Sequence, residues 1–173
     1  MKRMTDQSLF RAKATTDAEQ SNAIVVSFAA RWHQHLLAQD FSSVIRKRIP
    51  KYKTFEWLYF HINNPVGAIC GRAQIETITI LTTELAIASG REINLSASEI
   101  NSYISGDGHV GCYKLGAFQF SNKPVHTTEL AARMIYHPPQ SFFILSKRAK
   151  ELVDQMAGFI QLEAVHSRQA QKI

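Results

Sequence analysis

The 173-residue sequence predicts one mixed α/β domain of the α+β class, with five or six strands, several short helices and a long C-terminal helix. Three observations lead to this fold class. The chain is 45% hydrophobic and long enough for one well-buried core, but too short for two. Short β-branched runs alternate with segments of helical periodicity. No internal repeat or low-complexity tract interrupts this alternation.

The first half of the chain predicts a polar arm, a strand, a helix and three more strands. Residues 1–21 are polar and lack periodicity, as in a flexible arm. The run AIVVSF predicts a strand, and the apolar spacing in AARWHQHLLAQ predicts a helix. SVIRKRIP is a predicted strand that Pro50 ends, and FEWLYFHI is the next. In the strand AICGRAQIETITI, alternation is expected to place Ile69 and Ile75 on one face, and Arg72 and Glu76 on the other.

The second half of the chain predicts three short helices and two strands, followed by the long helix. TTELAIASG is expected to end at Gly90 as a C-cap, and SASEINSYISG opens with a capping box of Ser96 and Glu99. DGHVGCYKLGAFQF predicts a strand, TTELAARMI a short helix that HPPQ ends, and SFFIL a final strand. An apolar stripe that continues to Ile160 predicts one long helix starting after the cap residue Ser146.

The predicted organisation is an arm (1–21), a domain (22–147) and a C-terminal helix that packs on it (148–173). Cys70 and Cys112 lie far apart without a CxxC pair, which favours core thiols in a reducing compartment. The N-terminus lacks the apolar run of a secretory signal, and no stretch approaches the roughly 20 apolar residues of a membrane span. We therefore expect a cytoplasmic protein without a membrane partner, either monomer or dimer.

The positive charge is concentrated in VIRKRIPKYK, residues 44–53. The formal net charge is +6, and this segment contains five cations and no anion: Arg46, Lys47, Arg48, Lys51 and Lys53. One interpretation is an exposed edge strand, where lysine blocks pairing with other chains. The other is the wall of an anion-binding site, because arginine suits bidentate phosphate contacts. Tyr52, Phe55 and Trp57 follow closely, and aromatic faces can stack on bases.

Other chemistry receives little support from the sequence. His33 and His35 lie about 200° apart on their predicted helix, so they cannot share a metal ion, and we expect neither a metal nor a cofactor. There is no GxSxG motif, and Cys70 lies in an apolar strand that favours an inert thiol. Glu76, predicted on the same strand face as Arg72, is the one candidate acid or base; a surface ion pair is the simpler interpretation.

Several segments, in order, resemble the ASCH domain of the PUA-like superfamily. HLLAQDFSSVIRKRIPK is similar to its helix and GxKxxExR-type motif, and FEWLYFHINNPVGAICGRAQIETI to the strand and turn that follow. INSYISGDGHVGCYKLGAFQF resembles its helix, glycine turn and closing strand. HPPQSFFIL resembles the PPQSF-type ending of a branch described as predicted transcriptional regulators. The resemblance covers roughly residues 23–147.

This resemblance implies a small PUA-like β-barrel of five to six strands flanked by helices, with a positively charged cleft between barrel and helices. Such domains are thought to bind RNA or other nucleic acid, and some relatives hydrolyse modified nucleosides or cleave RNA. With Arg46 at the motif's arginine, Gln39, Phe41 and Val44 stand at its glycine, lysine and glutamate. Relatives with amidohydrolase activity use that lysine and a threonine at the position of Val44. The resemblance therefore implies a binding version of the fold, with Glu76 as a possible remnant of catalysis.

The sequence thus favours a nucleic-acid-binding module, with RNA as the expected ligand and a regulatory role in transcription as a further expectation. The expected binding residues are Arg46, Lys47, Arg48, Lys51, Tyr52, Lys53, Arg72, Gln140 and Ser141, the last two by family analogy. Two alternatives stay open. One is a hydrolase or ribonuclease in which Glu76 works with Lys47 or Lys51. The other is a protein-interaction module that dimerises through the C-terminal helix.

Overall fold

The described part of this computed structural model, residues 20–51, 54–105 and 108–160, contains seven strands and six helices. The strands are β1 (Gln20–Phe28), β2 (Ser43–Arg46), β3 (Trp57–Ile62), β4 (Ala68–Thr82), β5 (His109–His126), β6 (Phe143–Ser146) and β7 (Phe159–Ile160). The helices are α1 (Trp32–Ala38), α2 (Thr83–Ala88), α3 (Gly90–Ile93), α4 (Ala97–Ile104), α5 (Thr127–Ala131) and α6 (Lys147–Ala157). None of these helices is long and apolar enough to cross a membrane.

All seven strands join one sheet in the order β2-β5-β4-β3-β1-β6, with β7 paired to β5. β1 and β3 are parallel, and the other pairs are antiparallel. Three register shifts interrupt the long β4–β5 pairing, and bulges of this kind bend a strand. The expected closed barrel is wrong, because β2 and β6 remain unpaired to each other within the described residues. The sheet bends but stays open.

The apolar side chains form three clusters around this sheet. The largest lies between one sheet face and α1, and there Phe41 contacts the rings of Trp32, Phe60 and Phe118 edge to face. The second lies on the other face under α5 and α6 and includes Val25. The third packs α2, α3 and α4 against β2 and the start of β5. Helices therefore cover both faces of the sheet, as the mixed α/β class requires.

The expected element order is observed, and the capping box is confirmed. Ser96 Oγ accepts from the backbone N–H of Glu99, whose side chain accepts from the backbone N–H of Ser96. Gly90 differs from expectation, because it begins α3 rather than capping α2. The alternation predicted for β4 is also wrong, since a register shift after Ile69 places Ile69 and Ile75 in different clusters.

The C-terminal helix is shorter than its apolar stripe suggests. Ser146 Oγ accepts from the N–H of Ala149 at 3.1 Å and caps the helix as expected. Gly158 then adopts φ 53°, a left-handed conformation that ends the helix, and the chain turns into β7. The stripe of Ala149, Val153 and Ala157 is buried against the chain's own sheet. Residues 161–173, which the predicted helix included, lie outside the described residues.

Candidate anion-binding cleft

Arg46, the last residue of β2, contacts β1, a strand with which β2 does not pair. Its Nη1 donates to the carbonyl oxygen of Ile45 at 2.8 Å, and its Nη2 donates to that of Ser27 on β1 at 3.1 Å. Its guanidinium carbon lies 4.2 Å from the centre of the Phe28 ring. β1 and β2 are not neighbours in the sheet order, so this side chain spans the gap between their ends. We call this gap the seam.

The guanidinium is held rigidly and keeps its charge. Burial lowers the pKa of Arg46 from its usual value, and a hydrogen bond and charge interaction with Tyr103 oppose that shift. A guanidinium group is not deprotonated in proteins, so the side chain keeps its positive charge at neutral pH. Two carbonyl partners and an aromatic face fix its position. The seam therefore presents one oriented, permanent positive charge.

A cleft of about 480 Å³ opens over Arg46. One wall is the β1–α1 segment, with Phe28, Arg31 and Trp32, and the opposite wall is α4, with Tyr103 and polar side chains. Gln140 also lines the cleft. A second recess of about 330 Å³ is also lined by Arg46, Tyr103 and Gln140, and its other lining residues are Lys47, Arg48 and Ser141. We treat the two together as the cleft. A volume of this size suits one small ligand group.

One ion pair joins the two walls of the cleft. Nη1 of Arg31, before α1, lies 3.0 Å from Oε1 of Glu99 on α4. Hydrogen bonds from Ser96, and then the contact with Arg31, lower the pKa of Glu99 to about 2. The pair is exposed and contributes little to stability. It does, however, neutralise the one carboxylate among the residues that line the cleft, so the net charge there is positive.

The basic segment after β2 is anchored rather than free. Ile49 packs directly over Gly111 of β5, where a Cβ atom would overlap it. The backbone N–H of Lys47 donates to the Tyr103 hydroxyl at 3.2 Å, and Lys47 Nζ lies 5.7 Å from that ring. The strand therefore ends at Arg46, before the expected stop at Pro50. Lys47 and Arg48, which follow Arg46 directly, line the cleft.

The structure brings five of the expected binding residues together and separates others. The five that line the cleft are Arg46, Lys47, Arg48, Gln140 and Ser141. Lys51 is exposed and does not line the cleft, and Tyr52 and Lys53 lie outside the described residues.

Arg72 and Glu76 lie elsewhere on β4. Arg72 Nη1 lies 2.9 Å from Oδ1 of Asp154, and its guanidinium carbon lies 4.3 Å from the centre of the Trp57 ring. Glu76 is exposed and pairs with Lys114 at 4.0 Å, so the simpler interpretation of Glu76, a surface ion pair, is confirmed with Lys114 as the partner. Within the described residues, neither side chain lines the cleft.

Within the described residues, the aromatic faces in the cleft are not the ones the sequence singled out. Phe55 is buried in the core, and Trp57 covers Arg72. The cleft is lined instead by Phe28, Trp32 and Tyr103. The sequence spacing could have identified Tyr103, because it lies four residues after Glu99 on a capped helix and therefore on the same helix face. Phe41 and Val44, the residues at the motif's lysine and glutamate, are fully in the core. They offer no proton-transfer group to the cleft.

Comparison with solved structures shows that the chain has a fold similar to that of solved ASCH structures. ASCH from Zymomonas mobilis superposes with a TM-score of 0.73 at 22% identity, over 82% of this chain and 99% of that one. Its serine-to-alanine variant gives 0.73 at 21% identity, over 80% and 98%. The N-terminal domain of Staphylothermus marinus McrB gives 0.55 at 8% identity, over 79% and 94%. No protein-family model and no curated protein matches the sequence. The predicted ASCH resemblance is confirmed at the level of the fold.

Proposed function

We propose that this chain is a nucleic-acid-binding module that holds single-stranded RNA in the cleft. The observation that carries the proposal is the oriented guanidinium of Arg46 at the seam, with Lys47 and Arg48 beside it. Phosphate contacts from such cations supply most of the affinity of nucleic-acid-binding proteins. A cleft whose one carboxylate is already paired favours an anionic ligand.

Arg46 has donors to offer a ligand. A guanidinium has five N–H groups; the hydrogen bonds to Ile45 and Ser27 use two of them, and the hydrogen bond with Tyr103 uses a third. The remaining N–H groups can donate to a phosphate oxygen without breaking those bonds. Because the side chain is already fixed, binding costs little further conformational entropy.

The walls suit an unpaired base. Trp32 and Tyr103 provide aromatic faces on opposite sides of the cleft, and base stacking on such faces contributes about 1–3 kcal/mol per base. The amide of Gln140 can both donate to and accept from a base edge. A cleft of about 480 Å³ admits a single nucleotide rather than a duplex. Single strands with unstacked bases are the usual targets of sequence-specific RNA-binding proteins.

RNA is favoured over DNA by the ASCH resemblance, and a role in transcription regulation rests on the same resemblance. Neither alternative gains support from the described contacts. Glu76 is not among the described residues that line the cleft, and the apolar stripe of α6 is already buried on its own sheet.

The test is a fluorescence-anisotropy titration of labelled single- and double-stranded RNA and DNA over a series of salt concentrations. With three phosphate contacts, log K should fall with log salt with a slope of about −2, since single strands give about −0.7 per contact. Arg46→Ala should weaken RNA binding by about 1.5–3 kcal/mol, or about 10- to 150-fold. Arg46→Lys should recover only part of this loss, because lysine keeps the charge but not the forked geometry.

The matched control is Arg133→Ala, which removes the same charge from an exposed residue remote from the cleft. Its affinity should stay within about twofold of wild type. Equal losses in the Arg46 and Arg133 variants would show that net charge, and not the cleft, causes binding. Absence of binding to every oligonucleotide at low salt would refute the proposal.

A further inference from the structure

A chain of three polar side chains runs from the interior to the cleft. His61 on β3 is only 1% exposed and pairs in register with Ser27 on β1. Its Nε2 lies 2.9 Å from Oγ1 of Thr127, which in turn donates to the carbonyl oxygen of Gly67 at 3.0 Å. Its Nδ1 lies 3.5 Å from Oγ of Ser27. Ser27 is only partly buried and is among the residues lining the cleft.

The partners of His61 determine where its proton lies. The single hydroxyl hydrogen of Thr127 is used on Gly67, so the Thr127 oxygen must accept from Nε2–H of His61. The neutral ring then carries its lone pair on Nδ1, the nitrogen that faces Ser27.

His61 is also held in its neutral form. Burial lowers the pKa of His61, against a weaker opposing effect of a hydrogen bond with Asn63. The titratable ring that faces it from the segment after α5 is Tyr136, at 6.0 Å between ring centres, and burial raises the pKa of that hydroxyl. At neutral pH both groups are therefore uncharged, and Nδ1 can accept a proton.

We propose that Ser27, His61 and Thr127 form an acyl-transfer site that acts on carboxylic esters entering the cleft. Ser27 Oγ attacks the carbonyl carbon while its proton moves to Nδ1 of His61. The ester C–O bond then breaks, and the alcohol leaves with that proton. Water attacks the acyl-serine in the same way, which releases the carboxylic acid and restores Ser27. Thr127 is a positioning residue that fixes the tautomer and orientation of His61.

Two features of the geometry support this assignment. The guanidinium of Arg46 donates to the backbone carbonyl oxygen of Ser27, so a fixed positive charge lies beside the attacking residue and can stabilise the oxyanion that forms on the substrate's carbonyl oxygen. The Ser27–His61 contact of 3.5 Å is long for a hydrogen bond, and catalytic contacts of this kind commonly tighten only when a substrate is bound. This activity goes beyond the proposed RNA binding and does not depend on it.

The experiment treats the full chain with a fluorophosphonate probe and maps the adduct by mass spectrometry. Serine attack on this probe forms an O–P bond and releases fluoride, with the proton going to His61. We expect one adduct, on Ser27, and none in Ser27→Ala. His61→Gln should slow labelling at least about 100-fold. Ser105→Ala, which changes an exposed serine outside the cleft lining, should label as wild type.

Two substitutions of Thr127 distinguish a role in positioning His61 from a role in folding. Thr127→Val should slow labelling by at least about tenfold, and Thr127→Ser, which keeps the hydroxyl, should restore it. Circular dichroism checks that each variant is folded, and the Thr127 pair decides the question if His61→Gln unfolds. Labelling should also rise with pH through the lowered pKa of His61 and then level off. Absence of an adduct on Ser27, or equal rates in Thr127→Val and wild type, would overturn the proposal. RNA affinity is measured separately, so either proposal can fail alone.

Discussion

Arg72 provides a quantitative test of how the sheet, α6 and β7 are held together. Its Nε donates to Oε1 of Gln119 at 2.7 Å, and its Nη1 donates to Oδ1 of Asp154 at 2.9 Å. Its guanidinium carbon lies 4.3 Å from the ring centre of Trp57 and 4.6 Å from that of Phe159. The arginine therefore joins α6 and β7 to β4 through charge, hydrogen bonds and aromatic contact.

The substitution Arg72→Ala should cost about 3 kcal/mol of the free energy of unfolding. Removing one partner of a buried ion pair costs about 3–5 kcal/mol, because the other charge remains buried. The side chains of Arg72 and Asp154 are 15% and 27% exposed, and Lys150 still contacts Asp154 at 2.7 Å, so the lower end applies. At about 2–4 °C per kcal/mol for a chain of this size, Tm should fall by about 6–12 °C.

The assay is urea unfolding followed by circular dichroism, which avoids the fluorescence of Trp57 next to the mutated site. The control is Lys123→Ala, which breaks an exposed pair with Glu129 at 3.3 Å, where the two side chains are 70% and 40% exposed. That variant should lose no more than about 1 kcal/mol. A loss for Arg72→Ala as small as that of the control would refute the view that this network holds α6 on the sheet.

Two further predictions concern the tyrosines and Gly111. Burial raises the pKa of Tyr113 to about 12 and raises those of Tyr59 and Tyr136 above 10. Above pH 10 the unfolded chain binds fewer protons than the folded chain. The free energy of unfolding should therefore fall by about 1.4 kcal/mol per pH unit for each tyrosine as the pH rises above 10. An unfolding midpoint that stays constant between about pH 10 and 11.5 would contradict this. Gly111→Ala should cost about 1–3 kcal/mol and weaken RNA binding, because its Cβ displaces Ile49 and the basic segment. Adding Ile49→Ala should recover part of the binding in anisotropy, and no recovery would mean that the overlap is not the cause.

Features fixed by local chemistry were predictable from the sequence. Ser96 and Glu99 form their capping box within one helical turn, and Ser146 caps α6 in the same way. The order of strands and helices followed from periodicity, and the ASCH resemblance led to the fold. Gln140 was placed beside Arg46 only by that resemblance, since 94 positions of sequence separate them and no spacing rule connects them.

Features that depend on distant partners were not predictable. The register shift after Ile69 arises from pairing with β5, and a single shift moves the following side chains to the other face. Asp154, the partner of Arg72, lies 82 residues away on α6. Gly158 was a visible stop signal, but the apolar residues beyond it continued the helical stripe and favoured a longer helix. The open sheet could not be inferred, because closure depends on how far the bulged strands bend.

The proposed RNA binding depends on Arg46 at the seam of the sheet. Photo-cross-linking tests most directly whether RNA binds in the cleft there. Single-stranded RNA containing 4-thiouridine is irradiated with the protein, and the linked peptides are identified by mass spectrometry. We expect links in the peptides that contain Trp32 and Tyr103, with their yield strongly reduced in Arg46→Ala. Links confined to the surface around Arg133, or an unchanged yield in the Arg46 variant, would contradict the assignment of the cleft as the nucleic-acid-binding site.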